Sequence, residues 1–401
     1  MMNNSLKSLP LAVKQYLVIT GNYWAFTLTD GALRMLVVLY FHQLGYEPLA
    51  IALLFLFYEF FGVVTNLVGG WLGARLGLNK TMNLGLSIQI FALVMLAINP
   101  EWLSVVYVMC AQALSGIAKD LNKMSAKSAI KKLVPEDDDG VLYKWVAILT
   151  GSKNALKGVG FFLGGLLLTL FGFQGALWLM AGMLTLVWLL SIWRLKADLG
   201  KKKAKPKFTE MFSKSPQINR LSAARLFLFA ARDVWFVVAL PVYFVSELGW
   251  QSSTVGTFMA VWVILYGLVQ ANAPKVTGRN MALTQSKQSA ASWVTTLAVI
   301  PAMIVLGLDS SFPPELILVG GLLIFGAVFA INSSLHSYLI VRCADSDGVS
   351  MDVGFYYMAN AAGRLTGTVL SGVMYQYYGL SACLLVSSVM LGIAIVLTKR
   401  L

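Results

Sequence analysis

Apolar residues recur in blocks of about 20 from near residue 14 to the C-terminus, and a block of that length is what an α-helix needs to cross the hydrocarbon of a bilayer. Glycine, proline, asparagine and clustered charges punctuate the chain into about twelve such segments. They fall at 14–43, 48–74, 81–98, 102–128, 143–171, 173–195, 217–247, 252–275, 287–307, 314–341, 353–378 and 380–398. An outer-membrane barrel is excluded, because its strands would alternate polar and apolar residues at every second position. The ten residues before the first block are too few for the charged and apolar regions of a signal peptide, so the first helix is expected to be retained.

The longest polar interruption, 196–216, lies at mid-chain and carries Lys201, Lys202, Lys203, Lys205 and Lys207. It separates an N-terminal six-helix bundle (1–195) from a C-terminal one (217–401) and reads as a basic cytoplasmic linker. Internal repetition supports the division. Asp30/Asp233, Tyr40/Tyr243 and Phe41/Phe244 share an offset of 203, and Lys157/Arg364, Gly165/Gly372 and Gly172/Gly379 share one of 207. The expected fold is an all-α membrane protein of twelve transmembrane helices in two pseudo-symmetric bundles, and such parallel duplication is characteristic of transporters.

Composition agrees, with 58% hydrophobic and 12% charged residues, where soluble domains carry about 25% charged. Mean hydropathy is +0.73. The few charges are mostly cations, 31 Lys and Arg against 18 Asp and Glu, a net +13. With the N-terminus inside, the outer connections hold Glu47, Glu101, Glu247, Asp309 and Glu315 and no cation. The inner segments take Lys7, Lys14, Arg75, Lys80, Lys127, Lys131, Lys132, Lys144, nine cations from Arg194 to Arg220, Lys275, Arg279, Lys287, Arg342, Lys399 and Arg400. That asymmetry places both termini in the cytoplasm of a cell whose inner (plasma) membrane the chain spans.

Eight cations remain within the helices: Arg34, Lys119, Lys123, Lys153, Lys157, Arg225, Arg232 and Arg364. Four acids accompany them, Asp30, Glu59, Asp120 and Asp233. At about 3 kcal/mol each on the insertion scale, eight lipid-facing cations would cost on the order of 20 kcal/mol. They must meet water, each other or a ligand. Asp30 and Arg34, Lys119 and Lys123, and Lys153 and Lys157 are each four residues apart and share a helix face. Internal salt bridges such as Asp30 with Arg34 or Arg232 with Asp233 would account for some cations, but four acids cannot neutralise eight. The excess suits a multiply charged anion, with arginine as a bidentate fork and lysine as a mobile point charge. Arg34, Arg232, Lys157 and Arg364 lie deepest, whereas Arg225 and Lys119 lie near enough to the cytoplasmic ends to snorkel. The four acids serve proton coupling or charge pairing.

Other chemistry is sparse. Cys110, Cys343 and Cys383 are far apart and form no CxxC pair, so neither a disulfide framework nor a thiolate metal site is indicated. No metal or other cofactor is expected, and no nucleic-acid partner. The stretch 73–81 lacks a glycine before Lys80 and is not a phosphate-binding ATPase loop. With two histidines, His42 and His336, no catalytic apparatus is visible, so an enzyme is not expected. A membrane receptor or scaffold would have no reason to keep eight costly cations at membrane depth.

GGWLGARLGLNK (69–80) resembles the inner-loop motif of the major facilitator superfamily, with Gly70, Arg75, Gly77 and Lys80 kept and Ala74 where the acid stands. Gly160, Gly164 and Gly165 resemble its antiporter motif, although Phe161 replaces the proline and Leu156 the first glycine. At a finer level, five blocks look like the organoarsenical efflux permeases of the ArsJ type. They are GNYWAFTLTDGALRM (21–35), FYEFFGVVTNLVGGWLGARLGLN (57–79), SGIAKDLNKMSAKS (115–128), LTGSKNALKG (149–158) and SAARLFLFAARDVWFVVALPV (222–242). That resemblance implies the major facilitator fold and export of 1-arseno-3-phosphoglycerate, which glyceraldehyde-3-phosphate dehydrogenase makes from arsenate, as a functional partner. Organophosphate antiporters of the superfamily hold phosphate between arginines of helices 1 and 7, a pair that Arg34 and Arg232 resemble. The alternative is an exporter or exchanger of other phosphorylated organic anions. A monomer is expected.

Overall fold

The computed structural model describes residues 11–46, 54–134, 139–195, 215–250, 252–278, 281–346 and 348–401. The basic linker lies outside them except for its last two positions, as do Lys7, Glu47 and Arg279. The described residues form an all-α protein. Its helices are α1 (Leu11–Gln43), α2 (Leu56–Leu76), α3 (Leu78–Leu96), α4 (Val105–Leu133), α5 (Asp139–Arg194), α6 (Pro216–Phe236), α7 (Ala239–Ser246), α8 (Ser252–Thr277), α9 (Leu283–Leu308), α10 (Pro314–Cys343) and α11 (Val349–Lys399). Seven helical stretches among the described residues are long and apolar enough to cross a membrane. In hydrocarbon a helix satisfies its own backbone, which is why apolar runs of this length take no other form.

Two helices, 56 and 51 residues long, exceed any bilayer thickness, and each is broken once. The breaks fall at Gly172 (φ 66°, ψ −178°) and Gly379 (φ 75°, ψ −175°), conformations that a side chain on Cβ disfavours. Each long element is thus two membrane-length stretches joined at one residue, and the two glycines are a pair of the 207-residue repeat. Between α6 and α7 the helix is interrupted at 237–238. The N–H of Ala239 that this would orphan donates to Ser371 Oγ at 3.0 Å, the side-chain repair that a broken membrane helix requires.

The chain divides into two compact units, each drawing on both halves of the sequence. The first comprises 1–142, 156–212 and 344–355, and the second 143–155, 213–343 and 356–401. Residues 143–155 of α5 therefore fold with the second unit, and 349–355 of α11 with the first. In the first unit an apolar core gathers Phe26, Leu33 and Leu36 of α1, Leu86 and Leu93 of α3, Val108 of α4 and Phe173 and Leu177 of α5. In the second the core gathers Leu228 and Trp235 of α6, Trp262 of α8, Leu297 of α9, Phe325 and Phe329 of α10 and Leu384 of α11. Phe162, Leu186 and Leu306 are among the large apolar side chains left exposed, the surface that lipid covers.

Close backbone approaches fix the helix pairs. A Cβ at Gly160 of α5 would lie 2.8 Å from the Leu28 carbonyl and 3.1 Å from Gly31 Cα of α1. The inner-loop motif uses the same device: Gly70 packs on the backbone of Ser350 and Gly354 of α11, and Ser350 Oγ donates to the Gly70 carbonyl at 2.8 Å. Backbone contact thus holds this stretch where the superfamily motif has an acid, and Ala74 is fully buried there. Lys131 and Lys132 of α4 add hydrogen bonds to the carbonyls of Ala344 and Ser346 just beyond α10, where a helix's terminal carbonyls attract cations. Gly160→Leu is expected to force α1 and α5 apart, lower the thermal midpoint in detergent and cost about 1–3 kcal/mol. Gly182→Ala, with nothing within 4 Å of the added carbon, serves as the control, and equal midpoints for the two variants would contradict this account of the packing.

Candidate functional site

The eight intramembrane cations divide evenly between the units and the four acids do not. Arg34, Lys119, Lys123 and Lys157 lie in the first unit with Asp30, Glu59 and Asp120; Lys153, Arg225, Arg232 and Arg364 lie in the second with Asp233 alone. Of the helices that carry these charges, α5 contributes to both clusters, Lys157 to the first and Lys153 to the second.

In the first unit Tyr58 of α2 is the centre. It is 2% exposed, and its hydroxyl donates to Asp30 Oδ1 of α1 at 2.7 Å. Its ring receives the Arg34 guanidinium at 4.8 Å and the Lys119 ammonium of α4 at 3.8 Å. Arg34 pairs with Glu59 at 3.0 Å and also lies 5.0 Å from the Phe55 ring. The i, i+4 neighbours Asp30 and Arg34 are thus bridged through a tyrosine. Asp120 sits between the two lysines of its own helix, 3.9 Å from Lys119 and 2.5 Å from Lys123. Gly62 makes room for that carboxylate: a Cβ there would stand 2.9 Å from Asp120 Oδ2. Lys157 of α5 is half-buried with its ammonium 5.6 Å from the Phe161 ring. Lys127, which the loop count assigns to the inner surface, is also buried in α4, at 3% exposure.

The second unit handles its charge differently. Asp233 of α6, 1% exposed, takes Arg232 at 2.5 Å and Arg364 of α11 at 3.4 Å, so one carboxylate serves two guanidiniums. Arg225, 3% exposed, does not snorkel to the membrane surface but is held inward by neutral groups. Its Nε donates to Asn360 Oδ1 at 2.8 Å and its Nη1 to Ser333 Oγ at 2.9 Å. The Phe229 ring lies 4.0 Å from the Arg225 guanidinium and 4.8 Å from that of Arg232. The network continues from Ser333 Oγ to Gln270 Nε2 of α8 at 3.2 Å, and from Gln270 Oε1 to Asn154 Nδ2 of α5 at 2.6 Å. Lys153, the residue before Asn154, is half-buried. Among the described residues no carboxylate lies within ion-pair distance of Arg225.

A buried guanidinium held by dipoles keeps its net charge, and leaving that charge unpaired costs several kcal/mol. Around Arg225 there are further unmet groups. Ser222 Oγ, one turn earlier on α6, and Tyr356 Oη, whose ring is 5.4 Å from the guanidinium, have no hydrogen-bond partner among the described residues. Each buried, unmet polar group costs about 1–3 kcal/mol. Hydroxyl donors and a cation held by neutral groups are the kinds of group that an anion accepts from. Tyr58, Phe229, Ser333, Asn360, Gln270 and Asn154 escape a search of the sequence for charge. Their signal is that of uncharged polar or aromatic residues in apolar helices, which is weak until the fold brings them to an arginine. Among the described residues no group of three or more His, Cys, Asp or Glu could hold a metal ion.

A multi-pass, all-α membrane protein with clustered intramembrane charge belongs to the class of membrane transporters. The match is specific: residues 19–348 fit the family profile of the Major Facilitator Superfamily, and the chain belongs to that family. Solved structures share the fold at low identity. The human organic anion transporter MFSD10 (TETRAN) aligns with a TM-score of 0.76 at 16% identity, over 97% of this chain and 100% of that one. A bacterial homologue of the iron transporter ferroportin, in the outward-facing state, gives 0.74 at 13% over 98% and 99%. The E. coli fucose:proton symporter FucP gives 0.73 at 9% over 98% and 99%. No curated protein sequence matches this chain significantly.

Tyr58→Phe removes the hydrogen bond to the Asp30 carboxylate and keeps the ring for Arg34 and Lys119. It is expected to cost about 2 kcal/mol of stability, read as a lower thermal midpoint in detergent. Tyr58→Leu is expected to cost more, because both cation–ring contacts go as well. A smaller loss in the leucine variant would show that the ring does not hold the cations.

Proposed function

We propose that this transporter exports 1-arseno-3-phosphoglycerate from the cytoplasm by alternating access and thereby confers arsenate resistance. The observation that carries the reading is the charge of the second unit, where Asp233 pairs with both Arg232 and Arg364 and, among the described residues, Arg225 is held by neutral groups. The substrate has an arsenate end and a phosphate end, so it presents anionic oxygens to more than one guanidinium. Arginine meets such oxygens bidentately, in a planar geometry that lysine lacks. Arg34, Lys119, Lys123 and Lys157 of the first unit and Lys153 of the second are the further cations assigned to substrate binding; Glu59, Asp120 and Asp233 pair with neighbouring cations and Asp30 accepts from Tyr58, the four acids serving charge pairing or proton coupling. A pentavalent oxyanion needs no thiolate, in keeping with three scattered cysteines, Cys110, Cys343 and Cys383.

The resemblance to organoarsenical permeases supplies the particular ester and its source, glyceraldehyde-3-phosphate dehydrogenase. On this reading the protein works as a monomer in the inner membrane, both termini cytoplasmic, its two pseudo-symmetric six-helix halves joined by the basic linker. The test uses a bacterial host without arsenate efflux. Expressing the chain together with the dehydrogenase is expected to raise survival on arsenate and lower cell-associated arsenic. Arg225→Gln, Arg232→Gln and Arg34→Gln are each expected to reduce export about tenfold or more, the equivalent of one charge-assisted hydrogen bond. Unchanged resistance in all three variants at normal expression would overturn the reading. Export of 3-phosphoglycerate at the same rate would favour a general carrier of phosphorylated organic anions.

A further inference from the structure

His336 of α10 belongs to none of the contacts described so far. It is 1% exposed, and neither Nδ1 nor Nε2 has a hydrogen-bond partner among the described residues. It follows Ser333, the residue that binds Arg225, by three positions and so shares its helix face. The helices around it bring further ionisable groups: Arg232 and Asp233 on α6, Tyr266 on α8, Tyr356 and Tyr357 on α11, and Tyr143 and Lys153 on α5. Lys287 of α9 is engaged elsewhere, by the carbonyl of Leu401 at 2.9 Å. The one carboxylate in this set, Asp233, is committed to Arg232 and Arg364.

We infer that His336 is the proton-coupling residue of the second unit, taking up one proton when an anion binds at Arg225. Before binding, an imidazolium on the helix face that carries Ser333 would add a second buried positive charge to that of Arg225, which burial disfavours, so on this inference the ring is uncharged. An anion on Arg225 reverses the local field and offers oxygens that a doubly protonated imidazole can donate to. Proton and anion then favour each other equally, since linkage is reciprocal. No bond other than N–H is made or broken, and the proton comes from the solution that the site faces. The inference rests on the reading of Arg225 as an anion site.

The chain has two histidines, so His42→Gln leaves His336 as a single reporter. In this parent, labelled with 15N-histidine and held in nanodiscs near neutral pH, the imidazole resonances are expected to be those of the neutral ring. Added sulfate, whose charge is constant in this range, or 3-phosphoglycerate should convert them to imidazolium, while tryptophan fluorescence follows binding independently. Sulfate affinity should rise about tenfold per pH unit on acidification through the transition. His336→Gln should flatten that dependence at the weak, alkaline level of the parent. Binding with the ring still neutral, or an undiminished pH dependence in His336→Gln, would overturn the inference and leave the anion site standing. Failure of both probes to bind at any pH would remove the anion site and the inference together. The resonance measurement leaves His336 unchanged, so it holds even where the glutamine variant does not fold.

Discussion

Hydrocarbon offers a charged side chain neither water nor counter-ions, and that constraint organises both units. Every intramembrane cation must be compensated by something the fold carries to it, at a cost of several kcal/mol where compensation is incomplete. The backbone follows the same rule: helix is interrupted at Gly172, at Gly379 and at the step before Ala239, whose N–H is returned to Ser371. Close glycine contacts such as Gly160 on Gly31 bring helices near enough for short polar side chains to reach across.

The units meet the constraint in two ways with different consequences. Carboxylates cancel charge. Two unit charges 4 Å apart attract by about 4 kcal/mol at an effective dielectric of ~20, and seen from a distance the pair is nearly neutral. Arg34 with Glu59, and Lys123 with Asp120, are of this kind. Amide and hydroxyl oxygens satisfy donors without cancelling charge, and this is how Asn360 and Ser333 hold Arg225. Its geometry is fixed while its field persists, the preorganisation that binding an anion asks of a receptor.

Much of the fold was legible because membrane helices declare themselves by composition alone. The breaks at Gly172 and Gly379 and the intramembrane cations follow from apolar runs, punctuation and repeat offsets, whereas the pairing of α1 with α5 comes from the structure. What the chain could not announce is partnership. Asp30 and Arg34 share a face and invite a direct salt bridge, yet Tyr58, from another helix, stands between them. Lys127 falls in a stretch that reads as inner surface and is buried. Arg225 lies within snorkelling reach of the cytoplasm, but Ser333 and Asn360, more than a hundred residues away, turn it inward. Nor does the sequence foretell that 143–155 of α5 and 349–355 of α11 fold with the unit opposite to the rest of their helices. These are long-range choices among helices of nearly equal hydrophobicity, and side-chain complementarity decides them where periodicity is silent.

Aromatic rings complete the logic of the second unit. A ring holds a cation by about 0.5–2 kcal/mol without neutralising it, and Phe229 does so for Arg225 and Arg232 together. On the proposed reading, the two guanidiniums nonetheless differ in what an incoming anion must displace. At Arg225 it displaces no carboxylate. At Arg232 and Arg364 it competes with Asp233, whose two ion pairs must loosen before either arginine can turn. On that reading a solute with one anionic group is satisfied at Arg225 and leaves the Asp233 pairs intact. A solute with two, on the proposed reading, has a second group tethered at high effective concentration beside those pairs, and it alone can engage the remaining arginines. Discrimination between singly and doubly anionic solutes would then follow from the contrast between Arg225, held by neutral groups, and the two arginines paired with Asp233.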